Sequence, residues 1–158
     1  MIKQWRTPTT NISGSCSLES VGKIAEGDWS RPSGSKKQLS LTDQIREPRL
    51  YPENSKTENI KPTHQLNPDW TEWLMGWPIG WTNLNPLSAK DFIKWFEMVL
   101  SGKWWDKDPA NEGTLSRVTE NKINRSRRIK ALGNGQVPSC VVAATINLEK
   151  VKNKENSK

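Results

Sequence analysis

At 158 residues, with 33% hydrophobic content and a mean hydropathy of −0.80, the chain is long enough for one ordinary domain but too polar for a core running its full length. Lys and Arg outnumber Asp and Glu by 24 to 17, and the resulting net charge of +7 favours polyanionic partners, nucleic acid first. No apolar run approaches the ~18–20 residues that cross a bilayer, and the start Met1-Ile2-Lys3-Gln4-Trp5-Arg6-Thr7-Pro8 lacks the apolar stretch of a secretion signal, so a cytoplasmic protein without a membrane partner is expected.

Residues 1–63 read as turns: Thr7-Pro8-Thr9-Thr10, Ser13-Gly14-Ser15, Arg31-Pro32-Ser33-Gly34-Ser35-Lys36-Lys37, Glu47-Pro48 and Tyr51-Pro52. Short helical turns fit only Leu18 to Ala25 and Leu39 to Ile45, where apolar residues recur at helical spacing. The expectation is a loop-rich or partly disordered arm over 1–63 that buries little surface, followed by an ordered segment over 64–158. Cys16 and Cys140 lie too far apart in sequence to indicate a disulfide framework or a zinc site. His64 is the only histidine and sits in a connector, which argues against nucleophilic catalysis built on it.

A helix then starts with a full set of signals: Asn67 to cap it, Pro68 at its first position, Asp69 in its first turn and Gly76 past its end. Trp70, Trp73, Leu74 and Trp77 share one face. Such an aromatic stripe either packs inward or makes a partly wet interface, because each indole N–H still needs an acceptor. Trp77-Pro78-Ile79-Gly80-Trp81 follows as a rigid turn.

Ser88 and Asp91 form a capping-box-like pair at the start of a second helix, which Gly102 ends. Phe92, Trp95, Phe96, Val99 and Leu100 fall at i, i+3, i+4, i+7 and i+8, the best amphipathic pattern in the chain. In Lys103-Trp104-Trp105-Asp106-Lys107 the indoles either stack on nucleobases or cover the end of that helix.

Lys122, Arg125, Arg127, Arg128 and Lys130 crowd into nine residues, a density that fits phosphate contact or a solvated helix face. Gly133-Asn134-Gly135 reads either as a ligand-facing turn at a helix start or as a cap between two helices. From Cys140 to Leu148 the residues support a buried helix, and Glu149 to Lys158 reads as a fraying charged tail.

Gly133-Asn134-Gly135-Gln136-Val137-Pro138, preceded by Arg128 and Ala131-Leu132, resembles the last motif of DNA (cytosine-5) methyltransferases, in which Gly-Asn-x-x-Val lines the S-adenosylmethionine pocket. Upstream, Leu66-Asn67-Pro68-Asp69-Trp70-Thr71-Glu72-Trp73-Leu74-Met75-Gly76-Trp77-Pro78 is similar to the motif just before it in phage and prophage enzymes, whose Leu-Met-Gly-aromatic-Pro core recurs. Trp5-Arg6-Thr7-Pro8-Thr9 loosely resembles a segment found earlier in those enzymes. The resemblance implies an α/β fold of which this chain is an incomplete, mainly helical C-terminal part. It implies S-adenosylmethionine contact by Gly133, Asn134 and Val137, and assigns residues 1–63 to a remnant of the target-recognition region.

Cytosine C5 methylation needs a thiolate to attack C6 and a carboxylic acid near N3. In the family these come from Pro-Cys and Glu-Asn-Val motifs, and neither is present. Cys16 follows Ser15, Cys140 follows Ser139, and Glu58-Asn59-Ile60 stands after a polar stretch rather than after a buried strand. The expected function is therefore a methyltransferase C-terminal segment, inactive alone, that binds DNA through Lys122, Arg125, Arg127, Arg128 and Lys130. Its expected partners are DNA and a complementary N-terminal methyltransferase polypeptide, with which it would hold the cofactor. The rival is a stand-alone basic, Trp-rich nucleic-acid-binding module that uses Trp104, Trp105 and the basic cluster but not Gly133-Asn134.

Overall fold

The computed structural model describes residues 5–6, 17–28, 39–50, 60 and 64–155. Cys16, Glu58-Asn59 and most of the turn-rich runs of the first region lie outside the described residues. What is described is mainly helical, with one two-stranded ladder.

Helix α1 (Leu18–Ala25) begins where Ser17 accepts a hydrogen bond from the Ser20 amide. Its Val21 and Ile24 bury against Leu39, with Leu50 packed alongside. Helix α2 (Leu41–Arg46) opens on a reciprocal capping box between Ser40 and Asp43. Arg49, in a single 3₁₀ turn over Pro48–Leu50, reaches Glu47 at 2.8 Å and Glu26 at 3.1 Å and so ties the two helices together.

The expectation that residues 1–63 bury little surface is corrected here. Leu41 and Ile45 enter the main core with Leu66, Trp70, Trp73, Trp104, Val118 and Ile129. Trp5 packs edge-on against Trp70 at 5.2 Å between ring centres, and Gln44 accepts a hydrogen bond from the Arg6 amide at 2.9 Å. Low average hydrophobicity had concealed a few apolar side chains placed where two short helices could bury them.

Strand β1 (Gln65–Leu66) pairs antiparallel with β2 (Val118–Thr119), with Gln65 opposite Thr119 and Leu66 opposite Val118. Helix α3 (Pro68–Met75) follows at once. Asn67 caps it by accepting from the Asp69 amide, and Gly76 closes it in the left-handed conformation at φ +79°. More than one face of α3 is buried: Thr71 and Glu72 are as enclosed as Trp70. Trp77 stacks on Trp81 across the following turn.

Helix α4 (Ala89–Leu100) has the expected cap, Ser88 accepting from the Asp91 amide, and Gly102 follows it at φ +72°. Its apolar pattern does not become a core face. Trp95, Met98 and Val99 pack on the core, whereas Phe92, Ile93, Phe96 and Leu100 are exposed, Leu100 to 71%. Of the two neighbouring indoles, Trp104 is buried and Trp105 lies over Gly76, where an added Cβ would come within 2.7 Å of its ring.

Helix α5 (Arg125–Asn134) packs across α3, with Ile129 in the core beside Trp70 and Trp73 and Leu132 buried as well, and α6 (Pro138–Glu155) completes the described chain. The expectation of a buried helix after Pro138 is overturned within this chain: every residue from Cys140 to Lys154 is exposed. Among the described residues, no helix is long and apolar enough to cross a membrane.

Candidate functional site

The basic cluster is the natural place to build a site, and the fold divides it. Asn124 enters α5 through the left-handed region at φ +52°, a conformation that Asn tolerates better than most side chains. This entry turns Arg125 inward. It is 7% exposed, and its Nε donates to the Leu66 carbonyl at 2.8 Å, bracing α5 against β1. Burial first, and then the charge of Arg46, holds its pKa below the ordinary arginine value.

Arg128, one turn further along the same face, is committed as well. Its Nε donates to Thr82 Oγ1 at 2.9 Å, and its Nη2 donates to Glu72 Oε1 at 2.9 Å and to Asp69 Oδ1. Burial alone would lower the Arg128 pKa, but the hydrogen bonds to Asp69 and Glu72 outweigh it and hold the group above its usual value. The Glu72 carboxylate also accepts from the amides of Gly80 and Thr82 and from the Thr82 hydroxyl. One knot therefore ties α3, the turn after it and α5. The buried Glu72 carboxylate is filled by donors, an arrangement that holds structure.

Arg125 and Arg128 were expected to contact DNA, and their guanidiniums are instead spent on the fold. A different part of the cluster faces outward: Lys122, Arg127 and Lys130 are exposed, with Arg127 and Lys130 three residues apart and so on neighbouring parts of α5. The acidic partners of Arg128 went unread in the sequence. The signal available was the spacing of Asp69 and Glu72, three apart on one face of α3 and so able to meet a single cation together.

The Gly-Asn-Gly segment is not an open turn at a helix start. Gly133 and Asn134 are the last residues of α5, and Gly135 ends it with its amide donating to the Leu132 carbonyl at 3.0 Å. A Cβ on Gly135 would stand 3.3 Å from the carbonyls of Ala131 and Leu132, so a tight exit favours glycine there. Asn134 is exposed, and Val137 is half-buried at the head of a shallow apolar groove of about 430 Å³ that runs along α6 past Cys140, Val141 and Ala144. Asn134 is not among the residues that line this groove. His64 pairs with Glu120 across the ladder at 3.1 Å.

A second buried ion pair braces the loop before β2. Arg117 donates from Nη2 to Asp108 at 2.8 Å and to Asn111 at 2.7 Å, Trp70 donates to the same Asp108 at 2.9 Å, and the guanidinium lies 5.3 Å from the Trp5 ring centre. This too is scaffold.

No protein-family model matches the sequence, and no curated protein and no solved structure matches the chain.

Proposed function

We propose that this chain is the C-terminal, DNA-contacting part of a DNA (cytosine-5) methyltransferase, acting in the cytoplasm with a complementary N-terminal polypeptide that carries the catalytic motifs. The observation that carries the reading is α6. It starts where the Gly133 to Pro138 segment ends, has apolar residues on every side between Cys140 and Ile146, and is exposed from Cys140 to Lys154, with Val142 at 58% and Leu148 at 71%. A helical stretch that is apolar all round, as 140–146 is, belongs in an interior. The cofactor domain of a methyltransferase would supply that interior, and its arrival would place Gly133, Asn134 and Val137 against S-adenosylmethionine.

In this reading Lys122, Arg127 and Lys130 meet DNA phosphates, while Arg125 and Arg128 keep α5 at the angle that presents them. The stand-alone module is less well supported, since Trp104 lies in the core and the ring of Trp105 covers Gly76.

The test is co-expression with a tagged N-terminal polypeptide that contains a Gly-rich loop, a Pro-Cys and a Glu-Asn-Val, ideally from the neighbouring reading frame. The two should copurify and bind S-adenosylmethionine together, while this chain alone transfers no methyl group. Val142→Asp with Ile146→Asp should abolish the association without unfolding the chain, because both side chains are exposed in it. In the complex, Asn134→Ala should weaken cofactor binding by about 1–3 kcal/mol, the usual effect of removing one partner from a buried polar contact. Failure to associate, or association indifferent to the α6 substitutions, would refute the reading.

A further inference from the structure

A cleft of about 460 Å³ opens between α4 and the 107–114 loop, a volume in the range of small-ligand sites. Buried Trp73 and Trp104 close its bottom, and half-buried Trp95 and Met98 form the side contributed by α4. Every indole N–H there is turned into the protein: Trp73 donates to the Trp104 carbonyl at 3.1 Å, Trp104 to the Trp73 carbonyl at 3.0 Å, and Trp95 to the Gly76 carbonyl at 3.1 Å. The rings therefore offer carbon surface and no donors. Such a cleft accepts a flat apolar body by stacking and does not read the edge of a base.

The mouth adds charge. Exposed Lys94 and Lys107 line it together with the Asp91 carboxylate, which accepts the Ser88 hydroxyl at 2.6 Å as part of the α4 cap. Among the described residues Lys107 pairs loosely with Glu112 at 3.8 Å, an exposed contact that a phosphate can displace. Flat apolar walls below two cations suit an aromatic ring that carries an anion.

We propose that this cleft holds one unpaired base of single-stranded DNA, stacked against Trp95, with an adjoining phosphate at Lys94 and Lys107 and with no preference for base identity. The inference rests on the reading of the chain as DNA-contacting, but it uses residues separate from Lys122, Arg127 and Lys130. It gives the chain a way to engage a strand whose bases have left the duplex, which a purely phosphate-binding face lacks.

Two labelled oligomers of equal length separate stacking from charge: a ten-nucleotide oligothymidylate and an abasic phosphodiester strand, each titrated by fluorescence anisotropy into the full chain. The parent should prefer oligothymidylate by about tenfold, the order of magnitude that one base stacked on an aromatic ring supplies. Thr114→Trp, which fills the cleft from its exposed loop side, should erase that preference while leaving abasic affinity in place, and Lys94→Glu should reduce it. Alanine at Lys122, Arg127 and Lys130 should weaken both oligomers alike and preserve their ratio. Equal binding of the two by the parent, or a ratio that survives both cleft variants, overturns the inference and leaves DNA contact standing. An apolar protein side chain as the true occupant would give that same equality. Binding of neither oligomer refutes the DNA reading, and the inference with it.

Discussion

Arg128→Ala tests whether the basic cluster is divided between scaffold and surface. The substitution leaves the fully buried Glu72 carboxylate without its cation, and stripping one partner from a buried ion pair typically costs about 3–5 kcal/mol. Gly80 and Thr82 still donate to Glu72, and Arg128 is not wholly enclosed, so the low end applies, about 3 kcal/mol. That is a large share of the roughly 5–15 kcal/mol by which a domain of this size is stable. Urea unfolding followed by tryptophan fluorescence should show the midpoint falling by about 1–3 M with an unchanged slope. Arg127→Ala, one residue earlier and exposed, should stay within about 0.5 kcal/mol of the parent while lowering the salt slope of DNA binding by about 1. Replacing both members of the pair, Glu72→Gln with Arg128→Met, should recover part of the loss, because no charge is then left buried and unpaired and the carboxamide oxygen still accepts from the Gly80 and Thr82 amides. A stable Arg128→Ala protein that has lost DNA binding would refute this division and return Arg128 to the interface.

Four further substitutions probe the frame of the fold. Gly76→Ala should destabilise by about 2 kcal/mol and Gly102→Ala by about 1, since both need a left-handed residue but only at Gly76 does the new Cβ strike a ring; equal losses in chemical denaturation would mean that Trp105 swings aside freely. Trp5→Ala should destabilise by about 2 kcal/mol, less than a fully buried Trp would, by uncovering Trp70 and Arg117; an unchanged unfolding midpoint would show that the N-terminal contact adds nothing. The hydrogen bond from Arg49 holds the Glu47 carboxyl below its ordinary 4.5, so its stabilising contribution is present above that value and is lost as pH falls through the lower folded-state pKa. Arg49 is half exposed, so the contribution to stability is small, and an NMR titration of Arg49→Ala should find Glu47 moved back up; no movement would sink the assignment.

Local signals were the legible ones. Asn67, Pro68 and Gly76 bound α3 as their chemistry requires, and Ser88 with Asp91 starts α4, because caps act within a few residues of themselves. The inward turn of Arg125 and Arg128 could not be read in the same way. Their partners Leu66, Asp69 and Glu72 lie more than fifty residues upstream, and nothing local separates Arg128 from Arg127. Helix α2 was legible as a short turn but not as core, since Leu41 and Ile45 gain their place from Trp70 and Ile129 rather than from any periodicity of their own. The Gly-Asn-Gly segment satisfied a turn and a helix end equally well, and the burial of Ile129 and Leu132 carries α5 through Asn134.

The misreading of α6 as buried has a different origin, and it bears on what a partner must touch. Fully burying an aliphatic side chain contributes about 1.5–3 kcal/mol, so the roughly half-exposed Val141, Val142, Ile146, Leu148 and Val151 offer about 4–8 kcal/mol together. Association itself costs about 4–15 kcal/mol, which leaves α6 alone near or below break-even. The other large exposed apolar stripe is on α4, where Phe92, Ile93, Phe96 and Leu100 lie on a different side from the Lys94 and Trp95 cleft, and it offers about as much again. A complementary polypeptide that binds stably should therefore use both helices. Phe96→Asp should weaken its association about as strongly as Val142→Asp, measured by titration calorimetry on otherwise folded chains. If Val142→Asp abolishes the complex and Phe96→Asp leaves it unchanged, the two-helix interface is wrong, and the α4 stripe must answer to something other than this partner.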